Sequence, residues 1–217
     1  MQIPSRYNGP PGSGNGGWSA GAFAAAAGVG GVPEVTLRRP PPLDTPMARD
    51  GASFRAPDGT VVATVTRVDD AGDPVPPVSF DEATVAALRY PGFTDHPFPT
   101  CYVCGPDRPD GLRLFPGLVP DGRTAAPWIV PGDVRAETIW AALDCPGGWS
   151  ALHTGRTFVL GRIAARVGAL PAPGAACVVV GRADELAGRK AWTRSTVYGP
   201  DGTPLATARA TWIETGR

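Results

Sequence analysis

Gly16-Gly17-Trp18-Ser19-Ala20 and Gly147-Gly148-Trp149-Ser150-Ala151 are one phrase written twice. A second echo follows each copy. Pro57-Asp58-Gly59-Thr60 leads into Val61-Val62-Ala63, and Pro200-Asp201-Gly202-Thr203 leads into Pro204-Leu205-Ala206. The echoes keep the same order about half the chain apart, which predicts one structural unit used twice: a buried helix followed by strands. A duplicated unit meets its twin across a pseudo-twofold seam, and that seam is where a site is expected.

Working outward, residues 17–27 are small or apolar on every side, so a helix there is buried all round. Asn15 stands where an N-cap accepts from an orphan amide of the first turn. Strands are expected at 34–37, 48–56 and 60–68, the last two joined by Pro-Asp-Gly-Thr. Pro40 to Pro42 ends the first strand, because proline cannot donate to a ladder. Residues 69–77 are polar and proline-bearing, and a short helix is expected at 81–89 before an extended stretch to Thr100. A Cys101-x-x-Cys104 loop opens the second half. Strands at 112–115 and 124–130, a helix at 134–149, and strands at 157–167, 176–183, 191–198 and 204–213 follow. The expected class is α+β, a helix followed by an antiparallel meander, twice over.

The composition of the 217 residues narrows the function. Twenty basic and twenty acidic side chains cancel, and without a basic stripe interleaved with aromatics nucleic acid is a poor partner. Arg38-Arg39 and Arg189-Lys190 are the adjacent basic pairs, and neither makes a patch by itself. No apolar run is long enough to cross a bilayer, so no membrane partner is expected. The alanine-rich stretch from Ala20 to Ala27 lacks leucines and belongs to the repeat, so it reads as a helix rather than a secretion signal. Four cysteines give no disulfide framework in a chain of this size, which points to a reducing cytoplasm. A phosphate-binding G-x-x-x-x-G-K-[ST] loop is missing from the sequence.

Four places together resemble the hotdog superfamily, in particular double-hotdog acyl-CoA thioesterases. Cys101-Tyr102-Val103-Cys104-Gly105 with Pro109-Asp110-Gly111-Leu112 resembles their CxxCG…PxGL opening. Ala141-Ala142-Leu143-Asp144 is similar to the helix segment carrying their catalytic acid. Asn15-Gly16-Gly17 resembles the His-Gly-Gly that starts that helix, with Asn for His. Gly188-Arg189-Lys190 resembles a strand entry that faces the CoA phosphates. The resemblance implies a single-chain double hotdog: two antiparallel sheets, each wrapped around its own helix and joined edge to edge. Its halves would be residues 1–77 and 101–217, with 78–100 connecting them and free edges that leave a homodimer open.

The resemblance also sharpens the repeat. The family's acid lies about two and a half turns after the glycine pair, which in the first helix is Ala24. Counting back from Asp144 gives Arg135-Ala136, with no glycines. The two GGWSA phrases therefore sit at different levels of their helices. One composite site is expected, Asn15-Gly16-Gly17 with Asp144, and one degenerate position near Ala24 and Arg135. Helix-terminal amides would polarise a thioester carbonyl, and Asp144 would act as base on water or attack directly. The implied activity is hydrolysis of an acyl-CoA or acyl-carrier thioester, a small molecule, with CoA as part of the substrate and no other cofactor. The alternatives are a hotdog dehydratase or tailoring enzyme, and a non-catalytic acyl or small-molecule binding protein. A hydratase-type histidine would stand at Trp149, and His153 lies past it.

Plainer roles compete at each position. Asn15 serves as a cap, Gly16 and Gly17 as packing residues. Asp144 could bond amides freed by Pro146, and Arg189 and Lys190 could begin a solvated strand. Cys101 and Cys104 make half of a zinc site, but Cys145 and Cys177 are isolated and His96 and His153 lack ligand spacing, so no metal is expected. Trp18, Phe23, Trp140 and Trp149 are the candidates for lining an acyl tunnel.

Overall fold

Asn15 starts the first helix by accepting the Trp18 amide on Oδ1 at 2.8 Å. In the computed structural model, which describes residues 1–152 and 155–216, this helix (α1) runs Gly16–Ala27 and stops at Gly28, whose φ of 64° suits glycine. His153 lies outside the described residues. The elements that follow are β1 (Val32–Leu37), β2 (Ala48–Asp50), β3 (Ser53–Arg55), β4 (Val61–Val68), α2 (Phe80–Ala87), β5 (Gly117–Leu118), β6 (Thr124–Ile129), α3 (Ala136–Leu152), β7 (Phe158–Val167), β8 (Ala176–Ala187), β9 (Lys190–Tyr198) and β10 (Pro204–Glu214).

Where two sheets joined at their edges are expected, the strands form one continuous antiparallel sheet in the order β2-β3-β4-β1-β7-β10-β9-β8-β6-β5. The first-half strands occupy one end and the second-half strands the other. They meet at β1 and β7, where Val35 pairs with Ile163. Glu34, buried at this junction, reaches Arg209 at 3.2 Å and Arg162 at 3.7 Å. One large apolar core, holding Phe23, Val35, Trp128, Leu143 and Ile163, spans both ends of the sheet.

The two Pro-Asp-Gly-Thr turns are built alike. Asp58 Oδ1 accepts the Thr60 amide at 2.9 Å, and Asp201 Oδ1 accepts the Thr203 amide at 3.0 Å. Gly59 and Gly202 take φ of 83° and 78°, and their amides return to Ala56 and Gly199. The aspartate fixes the loop and the glycine supplies the left-handed residue.

Helices α1 and α3 pack antiparallel through glycine. A Cβ on Gly17 would lie 2.5 Å from the Trp140 carbonyl oxygen and from Asp144 Cβ, and one on Gly21 would lie 3.0 Å from Glu137 Cα. The two GGWSA phrases do sit at different levels, the first opening α1 and the second in the last turns of α3. Near that second phrase α3 stays helical through Pro146. Strand hydroxyls take up buried helix carbonyls there: Ser195 Oγ donates to the Leu143 carbonyl at 2.6 Å and Thr124 Oγ1 to the Pro146 carbonyl at 2.7 Å.

Two expected strands are corrected. The single strand at 48–56 is a hairpin, β2 with β3, turned at Gly51 with φ 58°. Residues 112–115 form no strand, because Arg113 takes a φ of 53° that breaks the pleat. The amides of Leu112 and Leu114 instead bond the Tyr102 and Val103 carbonyls, tying this segment to the CxxC loop.

Candidate active site

The carboxylate of Asp144, on α3, sits against the N-terminus of α1. Its Oδ2 accepts the Gly17 amide at 2.9 Å and the Asn15 side-chain amide at 3.0 Å. Asn15 is thus cap and bridge at once, since its Oδ1 holds Trp18 while its Nδ2 reaches Asp144 and lies 3.8 Å from Cys101 Sγ. Among the described residues, backbone amides beside Pro146 are not partners of Asp144. Its Oδ1 is buried without a hydrogen-bond partner, although such atoms are nearly always satisfied by protein, water or ligand. Burial raises the Asp144 pKa to about 7, and the Gly17 and Asn15 donors oppose that rise.

Asp144, Asn15 and Gly16 line a cavity of about 430 Å³. Its apolar wall includes Trp149, Leu152, Phe158, Leu160 and Trp212. Gly16 is held to glycine by this wall, because a Cβ there would lie 2.8 Å from Leu160 Cβ. Of the four aromatic residues expected to form a tunnel, Trp149 lines the cavity. Trp18 stacks on Tyr7 at 3.8 Å between ring centres, and Phe23 packs on Phe54 in the core. Trp140 is buried where α3 passes Gly21.

Asn15, Gly16, Gly17 and Asp144, the residues expected to share a site, come together between α1 and α3. Ala24 is buried in α1, and Arg135 donates to the Tyr7 hydroxyl at 2.8 Å. Arg189 and Lys190 do not line the cavity. Arg189 donates to the Glu214 carbonyl at 2.9 Å beside a separate surface hollow near the Arg156–Glu214 ion pair. Arg38 and Arg39 do line it, are exposed, and take part in no ion pair among the described residues. The sequence signal for them was the adjacent pair itself, ahead of Pro40-Pro41.

Cysteines supply the other wall. Cys101, Cys104 and Cys145, all buried, line the cavity, and their Sγ atoms lie within 4.8 Å of one another. The thiols of Cys104 and Cys145 and the amides of Cys104 and Val103 donate to Cys101 Sγ, holding that thiol well below its usual pKa against the effect of burial. His96 also reaches this wall, with Nε2 3.3 Å from Cys104 Sγ. Cys145 and His96 are missed by spacing arguments, because α3 and the 91–100 loop bring them to the CxxC turn from elsewhere in the chain.

No protein-family model matches this chain, and no curated protein matches it in sequence. Solved structures do. The crystal structure of a putative thioesterase from Novosphingobium aromaticivorans DSM 12444 is 18% identical, the match covering 100% of this chain and 94% of that one, with a TM-score of 0.64. The tesB protein of Mycobacterium avium subs paratuberculosis is 13% identical, with coverage of 100% and 91% and a TM-score of 0.59. The fold is the hotdog fold. At these identities the correspondence is one of fold, and the chemistry rests on this chain's own residues.

Proposed function

We propose that this hotdog chain hydrolyses an acyl thioester of CoA or of an acyl carrier in the cavity between α1 and α3. The observation that carries the reading is the Asp144 carboxylate seated on the N-terminus of α1 in the wall of an apolar cavity. The Gly16 amide, first in the helix, and the positive end of the helix dipole are placed to stabilise charge developing on a thioester oxygen. Asp144 Oδ1, with no protein partner, is the atom available to take a proton from water or to attack the carbonyl. Oδ2 stays held by Gly17 and Asn15, which fixes the carboxylate's orientation. The apolar wall suits an acyl chain, and Arg38 and Arg39 suit the phosphates of CoA. Arg189 and Lys190, the pair marked by family resemblance, lie beside the hollow near Glu214 and are the weaker candidates.

In the same reading the chain is a single-chain double hotdog made of residues 1–77 and 101–217, with 78–100 joining them. The β1–β7 junction, the antiparallel α1–α3 packing and the matching Pro-Asp-Gly turns support a duplicated origin. The wild-type chain tested against acyl-CoA thioesters of increasing length, with detection of the free thiol, should turn over at least one length class. Tight binding of an acyl-CoA without turnover would instead make it an acyl-binding protein. Hydration of an enoyl thioester without hydrolysis would make it a tailoring enzyme.

A further inference from the structure

Three buried thiols in one wall could be no more than small apolar fillers. Four features of this cluster go beyond filling. The Cys101-Tyr102-Val103-Cys104-Gly105 turn is closed by the Gly105 amide, which donates to the Cys101 carbonyl at 2.9 Å. Gly105 is fixed by that turn, since a Cβ would lie 2.5 Å from both the Cys101 nitrogen and the Pro99 oxygen. The Asn15 amide is aimed at Cys101 Sγ at 3.8 Å. His96 accepts the Phe98 amide on Nδ1 at 2.8 Å, so the neutral ring carries its proton on Nε2 and donates to Cys104 Sγ at 3.3 Å. Neutral thiols do not require these N–H donors, whereas metal-bound thiolates do.

We propose that Cys101, Cys104 and Cys145 together hold one thiophilic divalent metal ion, zinc by the chemistry of its donors, in the wall of the cavity. Zinc–sulfur bonds of about 2.3 Å in tetrahedral geometry set sulfur–sulfur separations of about 3.8 Å. The three Sγ atoms, all within 4.8 Å of one another, need little movement to reach this. A disulfide would need two of these sulfurs to close to about 2 Å and would leave the third thiol aside. Three thiolates exceed the ion's charge by one, and the Asn15 and His96 N–H groups offset that excess. His96 is therefore a donor to a ligand rather than a ligand, because its Nδ1 is already an acceptor. All three cysteines line the cavity, so the remaining coordination position opens toward it. Cys177, on β8 and outside the cluster, takes no part.

The test uses the full chain, reduced, stripped of metal and titrated with cobalt(II) alone. Tight binding should bring intense thiolate-to-cobalt absorption in the near ultraviolet together with strong tetrahedral d–d bands. Chain expressed in zinc-supplemented medium should carry near-stoichiometric zinc by elemental analysis. Cys145→Ser should lose both the charge-transfer intensity and most of the zinc, and Cys177→Ser should keep both. A reduced wild-type chain that takes up cobalt without these bands, or zinc retained in full by Cys145→Ser, overturns the proposal. So does a Cys101–Cys104 disulfide as the native state, read as the loss of two hydrogens in the intact mass. None of these readouts depends on thioester turnover, so the metal site and the hydrolytic reading fail separately.

Discussion

Asp144 and Gly17, 127 residues apart in the chain, share a hydrogen bond of 2.9 Å. This bond makes a helix start on one half and a carboxylate on the other into one site. It exists because Gly17 has no side chain: the backbones of α1 and α3 approach until a Cβ would strike Trp140 and Asp144. Helix packing and the hold on Asp144 share the same glycine.

Gly17→Ala should therefore damage both. Overpacking a close contact costs about 1–3 kcal/mol, and here the atoms met include backbone. Urea unfolding should show that loss, and thioester turnover should fall with it. Gly21→Ala meets Trp140 and Glu137 one turn further along. It should lose comparable stability while keeping far more of the turnover at temperatures where it is folded.

Arg38 and Arg39 line the cavity with no ion-pair partner among the described residues. A charged hydrogen bond contributes about 1.5–3 kcal/mol. The Arg38→Ala, Arg39→Ala double variant should then raise KM for a CoA thioester about tenfold or more, with little change in kcat. A truncated thioester that lacks the phosphates should be hydrolysed as well as by wild type. Arg189→Ala, which removes a contact to the Glu214 carbonyl, should leave KM nearly unchanged.

Much of the fold could be read from particular residues. Pro57-Asp58-Gly59 and Pro200-Asp201-Gly202 mark hairpins because aspartate and glycine each satisfy a turn requirement, and both hairpins form as expected. Asp50-Gly51 carries the same signal inside the strand expected at 48–56, and the chain turns there. Leu112 to Phe115 looks like a strand, but the left-handed backbone of Arg113 lies between the Leu112 and Leu114 amides that bond the CxxC loop, which no local pattern reports. The single continuous sheet depends on the β1–β7 pairing, a long-range match between strands that periodicity leaves unassigned. At the candidate site, motif order singles out Asp144 and the glycine pair, which the structure places side by side. Cys145 and His96 give no such signal, and Arg38-Arg39 shows only as an adjacent pair, because tertiary topology alone brings them to the cavity.

Helix α2 tests a smaller claim about local structure. Ser79 accepts the Glu82 amide at 3.2 Å, and the Ser79 amide donates back to Glu82 Oε2 at 3.1 Å, a reciprocal capping box. Ser79→Ala should cost about 1 kcal/mol in denaturant unfolding. The Ser79 side chain, and then its amide, lower the Glu82 pKa below its ordinary value of 4.5. A depressed carboxyl pKa gives stability that is present above the unfolded value and lost as pH falls through the folded one. The stability gap between wild type and Glu82→Gln should be full at neutral pH and shrink as pH drops below 4.5. A gap that does not change with pH would show the carboxylate contributes nothing as an ion.

The central claim is that the Asp144 carboxylate, held by Gly17 and Asn15, performs the chemistry. Its most direct test is Asp144→Asn, which keeps the shape of the side chain and removes its charge and basicity. After circular dichroism confirms that the variant is folded, thioester hydrolysis should be followed by free-thiol release on the best acyl-CoA substrate of the wild type. We predict a fall in kcat on the order of 10²–10⁴-fold with KM little altered. Hydrolysis by Asp144→Asn at the wild-type rate would contradict the account.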